Sequence, residues 1–226
     1  MPPFELVIFD NDGVLVDSEP IANRFMAEQL RSYGLDVDWL DCVERYLGST
    51  LTRVRALAEA DLGRPLPDDF EEQYRATVYP ALAAEVTAVP GVDAVLDHLD
   101  GAGVVSCVAS SGLHQRIRLT LGRAGLLDRF GDRLFSAEDV GVGKPAPDLF
   151  LHAAATMGVS PDRCAVVEDS RFGIEAARAA GMRAFGYGGG VTPGEWLEGP
   201  GTIVFEHMDE LTGLLLGSVG EPDRTA

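Results

Sequence analysis

The feature that most constrains this chain is a recurrence of short apolar runs: residues 5 to 9 (ELVIF), 104 to 109 (VVSCVA), 164 to 167 (CAVV), 182 to 187 (MRAFGY) and 202 to 205 (TIVF). Each is bounded by Gly, Pro or acidic residues, as buried parallel strands are. Helix-period segments lie between them. Residues 91 to 100 carry Val92, Val95, Leu96 and Leu99; residues 113 to 124 carry Leu113, Ile117 and Leu121; residues 171 to 180 carry Phe172, Ile174 and Ala177. This alternation predicts an α/β fold with a doubly wound parallel sheet, in which ligands bind at the carboxyl ends of the strands.

The rhythm stops after the first strand, and no second strand is expected for about ninety residues. Ile21, Phe25, Met26, Leu30 and Tyr33 recur at helical spacing before Gly34. Trp39, Val43, Tyr46 and Leu47 do so before Gly48, and Leu51, Val54, Leu57 and Leu62 before Gly63. A fourth helix is expected from Pro67, with Phe70, Tyr74, Val78 and Leu82 spaced by four, until Pro90 and Gly91 turn the chain back. The chain therefore divides into a Rossmann-like core (1–16 and 88–216), an inserted helical domain (17–87) and a frayed tail (217–226).

The 226 residues, 46% apolar and 24% charged, are enough to bury a core. Their formal charge is −18, which argues against nucleic acid as a general partner, because a phosphate backbone would be repelled over most of the surface. An anionic ligand must be caught locally. No apolar stretch approaches the ~20 residues that span a bilayer, and the first residues lack a basic segment leading into an apolar one. No membrane partner and a cytoplasmic location are expected. Cys42, Cys107 and Cys164 form no CxxC pair and read as buried small hydrophobes.

The chemistry concentrates at strand ends. After the first strand, Asp10-Asn11-Asp12-Gly13 sets two carboxylates two residues apart, so that one can attack while the other transfers a proton; the same residues also suit a turn. Calcium-loop spacing fails, since Gly falls at position 4 of the segment rather than 6. Ser110-Ser111-Gly112 ends the second strand with a hydroxyl and successive N–H groups before a helix, which suits an anion as well as a helix cap. Glu168-Asp169-Ser170 ends the strand at 164 to 167, and a second acidic site on the same edge invites a hard cation. Of 18 basic residues, 17 are Arg and the single Lys is Lys144. A compact ammonium fits between a carboxylate and a phosphoryl oxygen, where a planar guanidinium is too wide.

Together, FDNDGVLVDSEP, VASSG, GVGKPAPDLF and VVEDSRFGIEAARAAGM resemble the four motifs of the haloacid dehalogenase superfamily, in order and over residues 4 to about 187. DGVLVDSEP with KPAPD is similar to its β-phosphoglucomutase-like and sugar-phosphatase branch. The resemblance implies a helical cap for the insertion, Asp10 as nucleophile and Asp12 as general acid/base. It implies that Ser110, Ser111, Gly112 and Lys144 hold phosphate. Magnesium would be bound by Asp10, the carbonyl of Asp12 and Asp169, with Glu168 supporting that shell or orienting Lys144. The expected activity is hydrolysis of a small phosphorylated metabolite, a sugar or sugar-acid phosphate, through an aspartyl phosphate, by a monomer. Arg75, on the helix segment QYRATV, is the candidate contact for the substrate's distal end. The alternatives are a phosphosugar mutase and a non-catalytic phosphate- or partner-binding module. Against the mutase, Leu51 stands three residues after Gly48, where that branch carries an Arg gripping a second phosphate.

Overall fold

The computed structural model describes residues 3–217, so the expected tail lies, except for Gly217, outside the described residues. Six strands form one all-parallel sheet: β1 (Leu6–Phe9), β2 (Val105–Ser110), β3 (Leu134–Ser136), β4 (Cys164–Glu168), β5 (Arg183–Tyr187) and β6 (Thr202–Phe205), in the order β3-β2-β1-β4-β5-β6. Winding runs outward from β1 to β3 and then restarts at β4 on the other side of β1. The reversal opens a crevice between β1 and β4, the place where doubly wound sheets bind ligands. The register sets Phe9 beside Val108 on one side and Val167 on the other, so the carboxyl ends of β1, β2 and β4 meet at one edge.

Four helices fill the interval between β1 and β2 before the wound architecture resumes: α1 (Glu19–Ser32), α2 (Trp39–Tyr46), α3 (Leu51–Leu62) and α4 (Phe70–Glu85). Pro20 stands in the first turn of α1, a reciprocal capping box between Asp38 and Asp41 starts α2, and Thr50 caps α3. Phe70, Tyr74, Val78 and Leu82 form the buried stripe of α4, which begins three residues after Pro67 and continues through Pro80. The segments entering and leaving this helical group run side by side: Asp17 N–H donates to Thr87 O at 2.9 Å, and Val89 N–H to Leu15 O at 3.0 Å.

The sheet is covered on both faces. Val7, Phe9, Val108 and Val167 pack on the side of α5 (Val92–Ala102) and α6 (His114–Ala124), in a core that extends into α1–α4. After the short turns α7 (Leu127–Phe130) and α8 (Ala137–Val140), the helices α9 (Asp148–Met157) and α10 (Arg171–Ala179) cover Leu6, Ile8, Cys107, Ala109 and Val166 on the other face. α11 (Met208–Leu216) closes the described chain against α5. Neighbouring strand residues thus face opposite layers, which is why each central strand reads as a continuous apolar run. All three cysteines are buried and free. The expected pattern omitted the helices α9 and α11 as well as β3, whose three residues carry only Leu134 and Phe135 as apolar signal. No helix among the described residues is long and apolar enough to cross a membrane.

Candidate active site

Asp10 directly follows β1, and its N–H continues the ladder to Val167 O at 2.9 Å. It therefore stands beside Glu168, the last residue of β4, and Asp169. One oxygen from each of these three buried carboxylates lies within 4.8 Å of the other two. Lys144, from the loop between α8 and α9, enters this cluster and is 2% exposed. Its Nζ donates to Asp10 Oδ1 at 2.7 Å, Glu168 Oε1 at 2.5 Å and Ala109 O at 3.1 Å, which engages all three ammonium protons. Glu168 Oε2 accepts from Ser170 N at 3.0 Å and Ser170 Oγ at 2.8 Å. Both Glu168 oxygens thus accept hydrogen bonds, one from Lys144 and the other from Ser170.

Three carboxylates share one ammonium here. Burial pushes the Asp10 carboxyl up to about 8 against the pull of Lys144, and raises Asp169 well above the carboxylate range. Burial also opposes the Lys144 charge, but the adjoining Asp10 and Glu168 carboxylates outweigh it and raise the lysine's pKa. Asp169 Oδ2 is buried without any hydrogen-bond partner. No backbone N–H among the described residues donates to the Asp12 carbonyl oxygen. An acid-rich pocket with an orphaned carboxylate oxygen and a free carbonyl fits a hard divalent cation such as magnesium, whose ligands are oxygens.

Asp12 has partners of its own, apart from Lys144. Its Oδ1 accepts from Ser18 Oγ at 2.6 Å, Arg116 Nε at 3.0 Å and Arg116 Nη2 at 2.7 Å. Burial alone would raise this carboxyl, but Arg116 and Ser18 hold it below the usual range. Gly13 follows with φ +80°, and a Cβ there would overlap the Asp169 carboxylate, so only glycine lets this turn close over β4. Across the crevice, Gly112 N–H donates to Ser110 Oγ at 3.0 Å while Gly112 O accepts from Ser136 Oγ at 2.7 Å, which fixes the loop ahead of α6. The Ser111 hydroxyl turns instead to Gly48 O at 2.9 Å, in the helical insertion.

A cavity of about 600 Å³ opens over these groups, with Asp10, Asp12, Ser110 and Lys144 on the sheet side and Arg53 and Arg75 on the insertion side. Arg75 Nη1 pairs with Glu71 at 3.2 Å, one helical turn away. Seven of the nine expected site residues, Asp10, Asp12, Ser110, Ser111, Gly112, Lys144 and Arg75, line this cavity; Glu168 and Asp169 do not line it but cluster with Asp10.

Sequence reasoning missed Arg116, Ser18 and Glu19. Glu19, 8% exposed at the start of α1, accepts from Asn23 Nδ2 at 2.6 Å, and burial together with the Asp12 charge pushes it up to about 7. The sequence reading assigned Arg116 no role. The available signal was its position: a cation in the first turn of a helix opposes the helix dipole and calls for a local anion.

A family model described as haloacid dehalogenase-like hydrolase matches residues 4–181. The chain is 33% identical to the 6-phosphogluconate phosphatase of Escherichia coli K12, over 82% of this chain and 83% of that protein. It is 35% identical to the fructose-1-phosphate phosphatase of the same organism, over 79% of this chain and 93% of that one. Among solved structures it resembles a HAD family hydrolase from Deinococcus radiodurans with bound phosphate and sodium, with a TM-score of 0.75 and 32% identity, covering 96% of this chain and 97% of the other.

Proposed function

The chain belongs to the haloacid dehalogenase-like hydrolase family, and from that premise we propose that it is a magnesium-dependent phosphatase of a sugar or sugar-acid phosphate, working through a phosphorylated Asp10. The observation that carries this reading is the strand-end cluster in which Lys144 ties Asp10 to Glu168 beside the orphaned oxygen of Asp169. Lys144 occupies Oδ1 of Asp10 and no protein donor among the described residues meets Oδ2; the proton that burial favours on this carboxyl is displaced when a cation binds the cluster, and Oδ2 can then attack phosphorus. As the bond from Oδ2 to phosphorus forms, the bond to the leaving oxygen breaks, and Asp12, ionised beside Arg116 in the free site, passes to that oxygen the proton it takes from the arriving phosphate monoanion. Water then attacks the acyl phosphate, and Asp12, now a carboxylate, takes the water's proton as phosphate leaves and Asp10 is restored.

Ser110 Oγ and the N–H of Ser111, in the loop ahead of α6, receive the non-reacting oxygens, while Gly112 N–H, expected to bind phosphate, donates to Ser110 Oγ and orients that hydroxyl. Magnesium, when bound by Asp10, the Asp12 carbonyl and Asp169, neutralises part of the phosphate charge in a pocket otherwise hostile to anions. The insertion acts as a cap (17–87) over a core (1–16 and 88–216), and its paired linkers are the place for closure that excludes water. Arg75 reaches the distal end of the substrate from the cap, while the apolar Leu51 supplies no grip on a second phosphate, which favours hydrolysis over a mutase cycle.

The test is phosphate release from a panel of sugar, sugar-acid and polyol phosphates, with magnesium and with excess EDTA. Magnesium-dependent release from at least one class is expected; no release from any, or release that persists in EDTA, overturns the reading. Arg75→Ala should raise KM for a phosphorylated sugar acid and leave p-nitrophenyl phosphate almost unchanged, whereas equal effects on the two assign Arg75 a structural part.

A further inference from the structure

We infer that Arg116 is a positioning residue for the acid/base carboxyl: it holds one oxygen of Asp12 so that the other is presented to the reacting phosphate ester. The inference rests on the phosphatase reading and deepens it. Arg116 Nε and Nη2 converge on the same oxygen, Asp12 Oδ1, at 3.0 and 2.7 Å, and Ser18 Oγ donates to that oxygen as well, at 2.6 Å. A guanidinium set against both oxygens would consume the carboxylate; this one leaves Oδ2 without a protein donor among the described residues. Oδ2 lies 3.7 Å from the point a Cβ on Gly112 would occupy, and so faces the phosphate loop.

The pair is not a solvated surface contact. The Arg116 and Asp12 side chains are 14% and 10% exposed, and both line the cavity. The guanidinium's helix is itself tied to the catalytic turn: Asn11 Nδ2 donates to Thr120 Oγ1 at 3.0 Å, and Thr120 Oγ1 donates to Arg116 O at 3.0 Å. Consecutive side chains of the β1 turn, Asn11 and Asp12, thus engage residues one turn apart on α6. That arrangement fixes the plane of the Asp12 carboxyl relative to the loop that holds phosphate. A cation in the first turn of α6 works against the helix dipole, a cost that the contact with Asp12 offsets.

Orientation of this carboxyl matters only where a proton moves. An alkoxide needs one to leave and a nitrophenolate does not, and kcat/KM covers the steps up to departure of the alcohol, before water enters. The experiment measures kcat/KM for p-nitrophenyl phosphate and for ethyl phosphate, neither of which has a distal anion, in wild type, Arg116→Ala, Arg116→Lys and Asp12→Asn. The ratio of the first ester to the second should rise about 10²-fold in Arg116→Ala, in the same sense as in Asp12→Asn, because general acid catalysis of this kind contributes 10²- to 10⁴-fold. Arg116→Lys, which keeps the charge without the two-pronged grip, should show a smaller rise and serves as the readout should the alanine variant fail to fold. A ratio unchanged from wild type in Arg116→Lys and in any folded Arg116→Ala overturns the inference, whether both esters slow together or neither does. Wild-type inactivity on both esters and on every ester of the sugar, sugar-acid and polyol phosphate panel would instead refute the phosphatase reading itself.

Discussion

Lys144 makes three contacts that no other basic side chain could make in the same space: two carboxylate oxygens and a strand carbonyl around one nitrogen. A guanidinium is planar and wider, so Lys144→Arg should not rescue the site. Both Lys144→Arg and Lys144→Ala are expected to lose about 10²- to 10³-fold in kcat, the usual loss for one preorganised contact; wild-type kcat in the arginine variant would show that charge alone suffices. Glu19 gives a second prediction, through stability. Its carboxyl titrates near 7 in the folded protein against 4.5 for an unperturbed group. The native state therefore binds the proton more tightly than the unfolded chain, and this contribution, complete below about 4.5, is lost as pH rises through 7. In EDTA, Glu19→Gln should raise Tm relative to wild type more at pH 8.5 than at pH 5.5, and an equal offset at both values would contradict the assignment. At this scale Asp10, Asp12, Lys144, Glu168 and Asp169 were legible because strand ends and a lone lysine mark them in one dimension. Arg116 and Glu19 were not, because their meaning depends on a partner 104 residues away in one case and on burial in the other.

The elements were legible where a period or an apolar run was read in the sequence, and α9 and α11, of ten and nine residues, were not among those expected. Four-residue spacing from Phe70 to Leu82 marks α4, and the apolar runs mark five strands. β3 escaped because two apolar residues carry no period, and its place at the sheet edge follows from pairing with β2 alone. What no periodicity could reveal is how the loop between α2 and α3 seats on the sheet edge. Gly48 there has φ +79°, its carbonyl accepts from Ser111 Oγ, and a Cβ would overlap Ser170 Oγ. Gly34, with φ +97°, has no atom near the corresponding position. Gly34→Ala should therefore cost only the backbone strain, about 1–2 kcal/mol, while Gly48→Ala should cost more in urea unfolding and also raise KM. Equal costs for the two variants would show that the seat on Ser170 is not a packed contact.

On the scale of the whole molecule, an excess of 18 negative charges surrounds a site built for a phosphate dianion, so capture must come from groups gathered at one sheet edge rather than from the overall field. The doubly wound sheet supplies that edge. Reversal of winding between β1 and β4 brings Asp10 against Glu168 and Asp169, and β2 brings the Ser110 loop alongside. The fold class was legible from alternation alone, whereas the strand order that creates this crevice was seen only in three dimensions. The central claim is that this edge transfers a phosphoryl group to Asp10. It is tested most directly by acid-quenching the enzyme during turnover of a phosphate ester in magnesium and locating any phosphorylated residue by peptide mass spectrometry. A phosphoryl group on Asp10 in the wild type, absent in an inactive Asp10→Asn variant, is the predicted result; turnover by Asp10→Asn at the wild-type rate, with no phosphorylated peptide in either protein, would contradict it.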